Sequence, residues 1–152
     1  MIPTATVAPT DPRTTRRLRT YPRVDVTFVR DSSSTAGAIA EVDRAVPYRV
    51  RLIIRAGLRH CGLSVLTESA ELLATELVTN AFKHGRGDVG IRLYVTASHL
   101  LIEVRDGSAE RPVSGRATLD AEHGRGLLLV TSIADHWGVS ADGTTTWCSL
   151  PF

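Results

Sequence analysis

The stretch at residues 71–85 constrains the fold most, because as a helix it has one broad apolar side. Helical periodicity places on that side Ala70, Leu73, Ala74, Leu77, Val78, Ala81 and Phe82. Glu76 and Asn80 lie one turn apart on another face, with Lys83 beside them and Asn80 at the edge of the apolar arc. We therefore predict a helix that packs one side into a core and holds a carboxylate and an amide half-buried.

Taken alone, this pattern favours an amphipathic core helix whose polar side is simply solvated. Thr67 is a suitable N-cap, and Gly85 is expected to end the helix as its C′ residue. Glu71 falls inside the apolar arc, where nothing in the sequence explains a charge.

Alternating apolar residues predict strands on both sides of this helix. Residues 24–30 have the pattern of a half-buried strand, and a proline in the first turn supports a helix at residues 47–60. Residues 89–97 show the clearest alternation. A second strand at 100–106 follows after a short connection, so the two should pair antiparallel. A terminal hairpin is predicted around residues 142–143.

Asp106 ends the second of these strands with the same parity as its apolar residues, Leu100, Ile102 and Val104. A carboxylate on the core-facing side of a strand is costly unless a donor binds it. Alternatively, the strand has already ended and Asp106 starts a turn with Gly107. From this segment alone, the two interpretations are equally supported.

Residues 107–122 have little periodicity and are interrupted by Gly107, Pro112 and Gly115, which is typical of a functional lid or a disordered loop. Gly124 and Gly126 then lead directly into an apolar helix that is expected to run to about His136. Exposed N–H groups at such a helix start form an anion site. A tight turn without a ligand is the alternative, because Gly-x-Gly before a helix is a weak signal.

Composition sets the size and class of the protein. The chain has 152 residues, of which 43% are hydrophobic and 22% charged, as expected for one soluble domain plus a tail. Residues 1–23 are rich in Pro, Thr and Arg, so we predict a disordered tail there and a domain at 24–152. The arginines could alternatively meet nucleic acid or an acidic partner. Tyr21 is the only aromatic residue among these arginines, which favours a solvated tail.

Neither membrane insertion nor metal ligation by cysteine is indicated. No apolar run is long enough to span a membrane, and the N-terminus lacks the apolar core of a signal peptide. Cys61 and Cys148 do not have metal-ligand spacing and are expected to be two reduced thiols. The net charge of +2 is small. We expect a cytoplasmic protein.

Four motifs resemble, in their order, those of the GHKL ATP-binding fold that DNA gyrase and the histidine kinases share. The motifs are Glu76-Leu-Val-Thr-Asn80-Ala-Phe-Lys-His84 for the N-box, Val104-Arg-Asp106-Gly107-Ser108 for the first glycine box, His123-Gly-Arg-Gly-Leu127 for the second, and Gly143-Thr-Thr145-Thr-Trp147 for the closing strand. The first box departs from the family's fuller Asp-x-Gly-x-Gly. Over residues 45–152 the chain is most similar to the branch of anti-sigma-factor serine/threonine kinases, of the actinobacterial type.

The resemblance implies a role for each polar residue of the first two motifs. Asn80 is expected to offer its side-chain oxygen to Mg²⁺, a hard cation that takes oxygen ligands. Glu76 is expected to accept the proton of the attacking hydroxyl, or to hold that hydroxyl in line. Asp106 is expected to accept a hydrogen bond from the adenine amino group, with Gly107 and Ser108 completing the nucleotide-binding box.

The resemblance also implies a set of phosphate contacts. They come from the N–H groups of Gly124, Arg125 and Gly126, and from Lys83, His84 and Thr145. Leu127 is expected to start the helix. Each side chain has an alternative explanation without a ligand. Lys83 and His84 could simply be solvated at the end of the helix, and Arg125 could be a surface arginine. Thr145 could be present because threonine favours strands.

The fold implied is an α/β (α+β) two-layer sandwich. A mixed, mostly antiparallel sheet has helices packed on one face, and ATP lies between helix and lid. The function implied is an ATP- and Mg²⁺-dependent serine/threonine protein kinase that acts as an anti-sigma factor. Its expected partners are a sigma factor, a small anti-sigma-antagonist protein and a second copy of itself, with no membrane and no direct nucleic-acid contact. A non-catalytic ATP-binding regulator that sequesters a protein partner is the alternative.

Overall fold

A computed structural model describes residues 21–31, 41–106 and 124–152, with only the backbone described at 41–42 and 124–127. The elements follow in the order β1 (Val24–Phe28), α1 (Val46–His60), α2 (Thr67–His84), β2 (Val89–Val95), β3 (His99–Asp106), α3 (Gly124–Ile133), β4 (His136–Val139) and β5 (Thr145–Pro151). Short 3₁₀ turns at Glu41–Ala45 and Ser64–Leu66 precede α1 and α2. The predicted tail lies almost wholly outside the described residues.

The five described strands form one sheet in the order β1-β2-β3-β5-β4, and every neighbouring pair is antiparallel. β2 and β3 pair as a hairpin, with Val95 opposite Leu100 and Val89 opposite Asp106. The antiparallel pairing of these strands is therefore confirmed. The last hairpin, β4–β5, turns at Gly143, whose φ of 72° is a conformation that glycine adopts at little cost.

The core lies between the helices and one face of the sheet. Side chains of alternating parity in the strands are buried there, together with the inner sides of all three helices. The largest fully buried side chains include Ile54 of α1, Leu73 of α2, and Ile91 and Ile102 of the sheet. Burying each contributes about 1.5–3 kcal/mol. This two-layer arrangement confirms the predicted α+β sandwich.

Glu71 is explained by a partner on α1. Its carboxylate accepts hydrogen bonds from Arg55, at 2.7 Å from Nε and 3.1 Å from Nη2. The Glu71 side chain is 11% exposed to solvent, whereas the Arg55 side chain is 52% exposed. The hydrogen bond and the charge of Glu71 raise the pKa of the Arg55 guanidinium. The unexpected charge in the apolar arc is thus one half of a bidentate ion pair that joins α1 to α2.

The predicted N-cap of α2 and the predicted end of α3 were wrong. The N-cap of α2 is Leu66 rather than Thr67, and no side chain caps this helix because a 3₁₀ turn runs directly into it. α3 ends at Ile133 instead of about His136, since the chain enters β4 at His136. Among the described residues, no helix has the length and apolarity needed to cross a membrane.

Candidate functional site

The polar face of α2 carries the first two candidate residues. Glu76 and Asn80 are both half-buried, whereas Lys83 and His84 in the last turn are exposed. The opposite side of the helix is held in place by the fully or nearly fully buried residues Ala70, Leu73, Ala74, Leu77 and Val78. A carboxylate and an amide are therefore fixed one turn apart on a rigid element, partly shielded from water.

Asp106 stands next to the end of this helix, on the core side of the sheet. It is the last residue of β3, only 9% exposed, and its N–H donates to the carbonyl oxygen of Thr144 at 3.0 Å. Of the two interpretations of the sequence, the buried strand carboxylate is therefore correct. The strand has not ended before Asp106.

Gly85 shows how closely α2 and β3 approach each other. A Cβ atom at this glycine would lie 2.6 Å from both Cβ and Oδ2 of Asp106, and 2.6 Å from the carbonyl oxygen of Ala81. The helix ends at Gly85 as predicted, although this glycine is the C-cap rather than C′, and its backbone is extended, with φ −86° and ψ 178°. Glycine is needed here because the Asp106 carboxyl group occupies the space of a side chain.

α3 supplies the backbone amides of the second glycine box. The helix begins at Gly124, three positions earlier than the expected start at Leu127, so Gly124, Arg125 and Gly126 form its first turn. N–H groups in a first turn have no partner within the helix. α3 contacts α2, and α2 also contacts β3 and β5. α3 therefore packs against the N-box helix, which also packs against the strand that ends at Asp106. The side chains of Arg125 and Leu127 are outside the description, as are Gly107 and Ser108 entirely.

Thr145 is not brought together with these residues. In the register of β3 and β5 it lies opposite Arg105, and both line a groove of about 230 Å³ on the face of the sheet away from the helices. Thr146 lies opposite the buried Val104, on the helix side. Strand alternation is the cause, because a shift of one residue turns a side chain to the other face. The groove contains neither Glu76, Asn80 nor Asp106.

The comparison with known protein families bears directly on this arrangement. Residues 39–150 match the family model described as the histidine kinase-like ATPase domain. The chain belongs to the histidine kinase-like ATPase family. The match spans α1 to β5 and leaves β1 outside it. No curated protein shows significant sequence similarity to the chain.

Membership of this family makes the protein a GHKL-type ATP-binding protein, and the chemistry of the candidate residues fits that ligand. Asp106 is a buried acceptor with the chemistry to bind an amino group, and the first turn of α3 offers amides suited to phosphate. Within the described part of the chain, no three His, Cys, Asp or Glu side chains group into a metal site. In general Mg²⁺ is held by one or two protein ligands and takes the rest from substrate phosphates and water, so the side-chain oxygen of Asn80 would suit it as a protein ligand.

Proposed function

We propose that the protein is a serine/threonine protein kinase that acts as an anti-sigma factor or a similar regulatory switch, with a small anti-sigma-antagonist protein as its substrate. The placement of Glu76 carries this proposal. This carboxylate is half-buried on α2, one turn before Asn80, on the helix that ends against Asp106. ATP binding alone does not require an acid at this position.

Each residue then has a task that its surroundings support. Asn80 offers an oxygen to Mg²⁺ with its side chain fixed on a helix, and Asp106 accepts from the adenine amino group. Glu76 accepts the proton of the serine or threonine hydroxyl of the substrate protein. Lys83 and His84 are exposed in the last turn of the same helix, where they can meet phosphate. When bound, Mg²⁺ neutralises charge that develops on the transferred phosphoryl group.

Transfer of labelled phosphate from ATP to a panel of small candidate antagonist proteins tests the proposal. We expect Glu76→Gln to lower the transfer rate by about 10²–10⁴-fold, because general base catalysis contributes an effect of that size. ATP affinity should not change. The matched control is Glu68→Gln, an exposed carboxylate in the first turn of the same helix, which should retain full transfer. Equal transfer by Glu76→Gln and wild type would contradict the role of Glu76.

A non-catalytic ATP-binding regulator that sequesters a protein partner is the second candidate. The incomplete first glycine box, in which Asp106-Gly107-Ser108-Ala109 replaces the fuller motif, favours it. In this case ATP binds, a protein partner is held, and no phosphate reaches any antagonist. For the kinase, a sigma factor is the proposed partner, and a change of partner with nucleotide state requires that nucleotide alters the affinity for at least one partner. Salt-sensitive DNA binding that depends on residues 13–23 would instead indicate a nucleic-acid partner.

A further inference from the structure

Arg30, two residues after the end of β1, reaches across to the end of the N-box helix. Arg30 donates from Nη1 to the carbonyl oxygen of Phe82 at 2.6 Å and from Nη2 to that of Ala81 at 2.9 Å. Its Nε donates to the carbonyl oxygen of Gly87 at 2.8 Å. The guanidinium also lies 5.0 Å from the centroid of the Phe82 ring. All three guanidinium nitrogens therefore donate hydrogen bonds within residues 81–87, and the group also contacts an aromatic ring there.

The backbone of Arg30 reinforces the same connection. Its N–H donates to Oδ1 of Asp88 at 3.1 Å. Together, the two sets of bonds hold both the last turn of α2 and the turn that leads from α2 into β2. The last carbonyl groups of a helix have no partner within it and carry partial negative charge, so a guanidinium is well suited to bind them.

The residues held in this way are next to the nucleotide site. Asn80 immediately precedes Ala81 and Phe82, whose carbonyl oxygens Arg30 binds. Gly85, against which the Asp106 carboxyl group packs, lies between Phe82 and Gly87. A small movement of the helix end would shift Asn80 and Asp106 relative to each other.

We propose that Arg30 is a positioning residue for the nucleotide site: it fixes the C-terminal turn of α2 so that Asn80 and Asp106 are correctly spaced for ATP. The proposal rests on the ATP-binding role of these two residues. It extends the functional unit beyond the family match at residues 39–150, because Arg30 and β1 lie before it. The contacts join residues 51 and 52 positions apart, which leaves no signal in the sequence.

Calorimetric titration of the full chain with Mg²⁺–ATP at 25 °C tests this role in Arg30→Ala and Arg30→Lys. We expect Arg30→Ala to bind ATP about tenfold more weakly, as for the loss of about 1.4 kcal/mol of binding free energy. Arg30→Lys keeps the charge, but lysine has no planar fork that can bind three carbonyl oxygens. Its affinity for ATP should therefore lie between those of the wild type and Arg30→Ala. Arg92→Ala is the control. Like Arg30, Arg92 joins two elements through its side chain, but its Nε donates to Asp25 of β1 at 3.0 Å and does not contact α2. It should bind ATP like the wild type.

The outcomes separate a positioning role from a purely structural one. If Arg30→Ala unfolds at a lower temperature but binds ATP with wild-type affinity at 25 °C, Arg30 only stabilises the fold and the proposal is wrong. If Arg30→Ala does not fold, Arg30→Lys decides, and wild-type affinity in that variant overturns the proposal. Failure of the wild type to bind ATP would instead overturn the proposed function, and the role of Arg30 with it.

Discussion

Substitution of Gly85 by alanine tests how α2 and β3 meet at the nucleotide site. The new methyl group would lie 2.6 Å from the Asp106 carboxyl group and from the carbonyl oxygen of Ala81, whereas ordinary contacts begin at 3.4 Å. Both contacts must be relieved by a movement of roughly 1 Å, and a rotation of the Asp106 carboxyl group is not enough, because the Cβ atom of Asp106 and the backbone oxygen of Ala81 are equally close. Overpacking of this kind costs about 1–3 kcal/mol. In a domain of this size each kcal/mol lowers Tm by about 2–4 °C, so we expect a decrease on the order of 2–12 °C.

The same substitution should weaken nucleotide binding, because the carboxyl group it displaces is the proposed acceptor for adenine. A hydrogen bond to a charged group is worth about 1.5–3 kcal/mol, so ATP affinity should fall by about 10- to 150-fold. Thermal unfolding and calorimetric titration measure the two effects on the same sample.

Gly90→Ala is the matched control, since its Cβ atom would have only Thr27 Oγ1 within reach, at 3.9 Å. This strand substitution should leave Tm unchanged or raise it slightly, and should leave ATP affinity unchanged. Wild-type Tm and affinity in Gly85→Ala would refute the close approach itself. A lowered Tm with unchanged ATP affinity would show that Asp106 does not contact the nucleotide.

Three further predictions concern other parts of the protein. Arg55→Ala should lower Tm more than Arg59→Ala, because it leaves the Glu71 carboxylate buried without this partner, and adding Glu71→Leu should restore most of the loss, as measured by thermal unfolding. The hydrogen bonds that Asp142 accepts from Ser140 and Thr144 lower its pKa from 3.8 to about 2. The resulting stabilisation is complete above pH 4 and is lost as the pH falls through 2, so wild type and Asp142→Ala should differ in Tm at pH 6 and converge near pH 2. Burial raises the pKa of the Cys148 thiol to about 12, so a thiol reagent at pH 8 should label Cys61 in the folded protein and both cysteines only after unfolding.

Local periodicity was enough to predict the main elements of the fold. The apolar arc of α2 and the alternation of β2 and β3 follow from the side-chain spacing of helices and strands, and the structure buries the residues so identified. Strand parity gave the core-side position of Asp106 as one of two equally supported interpretations, and the structure decided between them. These features depend on neighbours in the chain, which a sequence displays directly.

Features that depend on contacts between distant residues could not be predicted. The burial of Glu71 is explained by its ion pair with Arg55 on another helix, and the glycine at position 85 is explained by the close approach of Asp106 at the end of a strand. Arg30 was predicted only as the polar end of a strand at residues 24–30, and nothing in that pattern indicated that it binds the end of α2. Thr145 could not be placed for a different reason. A motif resemblance does not define the exact register of a strand, and a shift of one residue turns a side chain to the other face of the sheet.

The account depends most on the assignment of Asn80 to Mg²⁺–ATP. Calorimetric titration with ATP, in the presence and absence of Mg²⁺, should be carried out on the wild type and on Asn80→Ala. We expect the wild type to bind ATP more tightly with Mg²⁺, and Asn80→Ala to lose that gain because no side-chain oxygen remains to bind the ion. A variant whose Mg²⁺-dependent binding equals that of the wild type would contradict the assignment, and a wild type that binds no ATP would contradict the account as a whole.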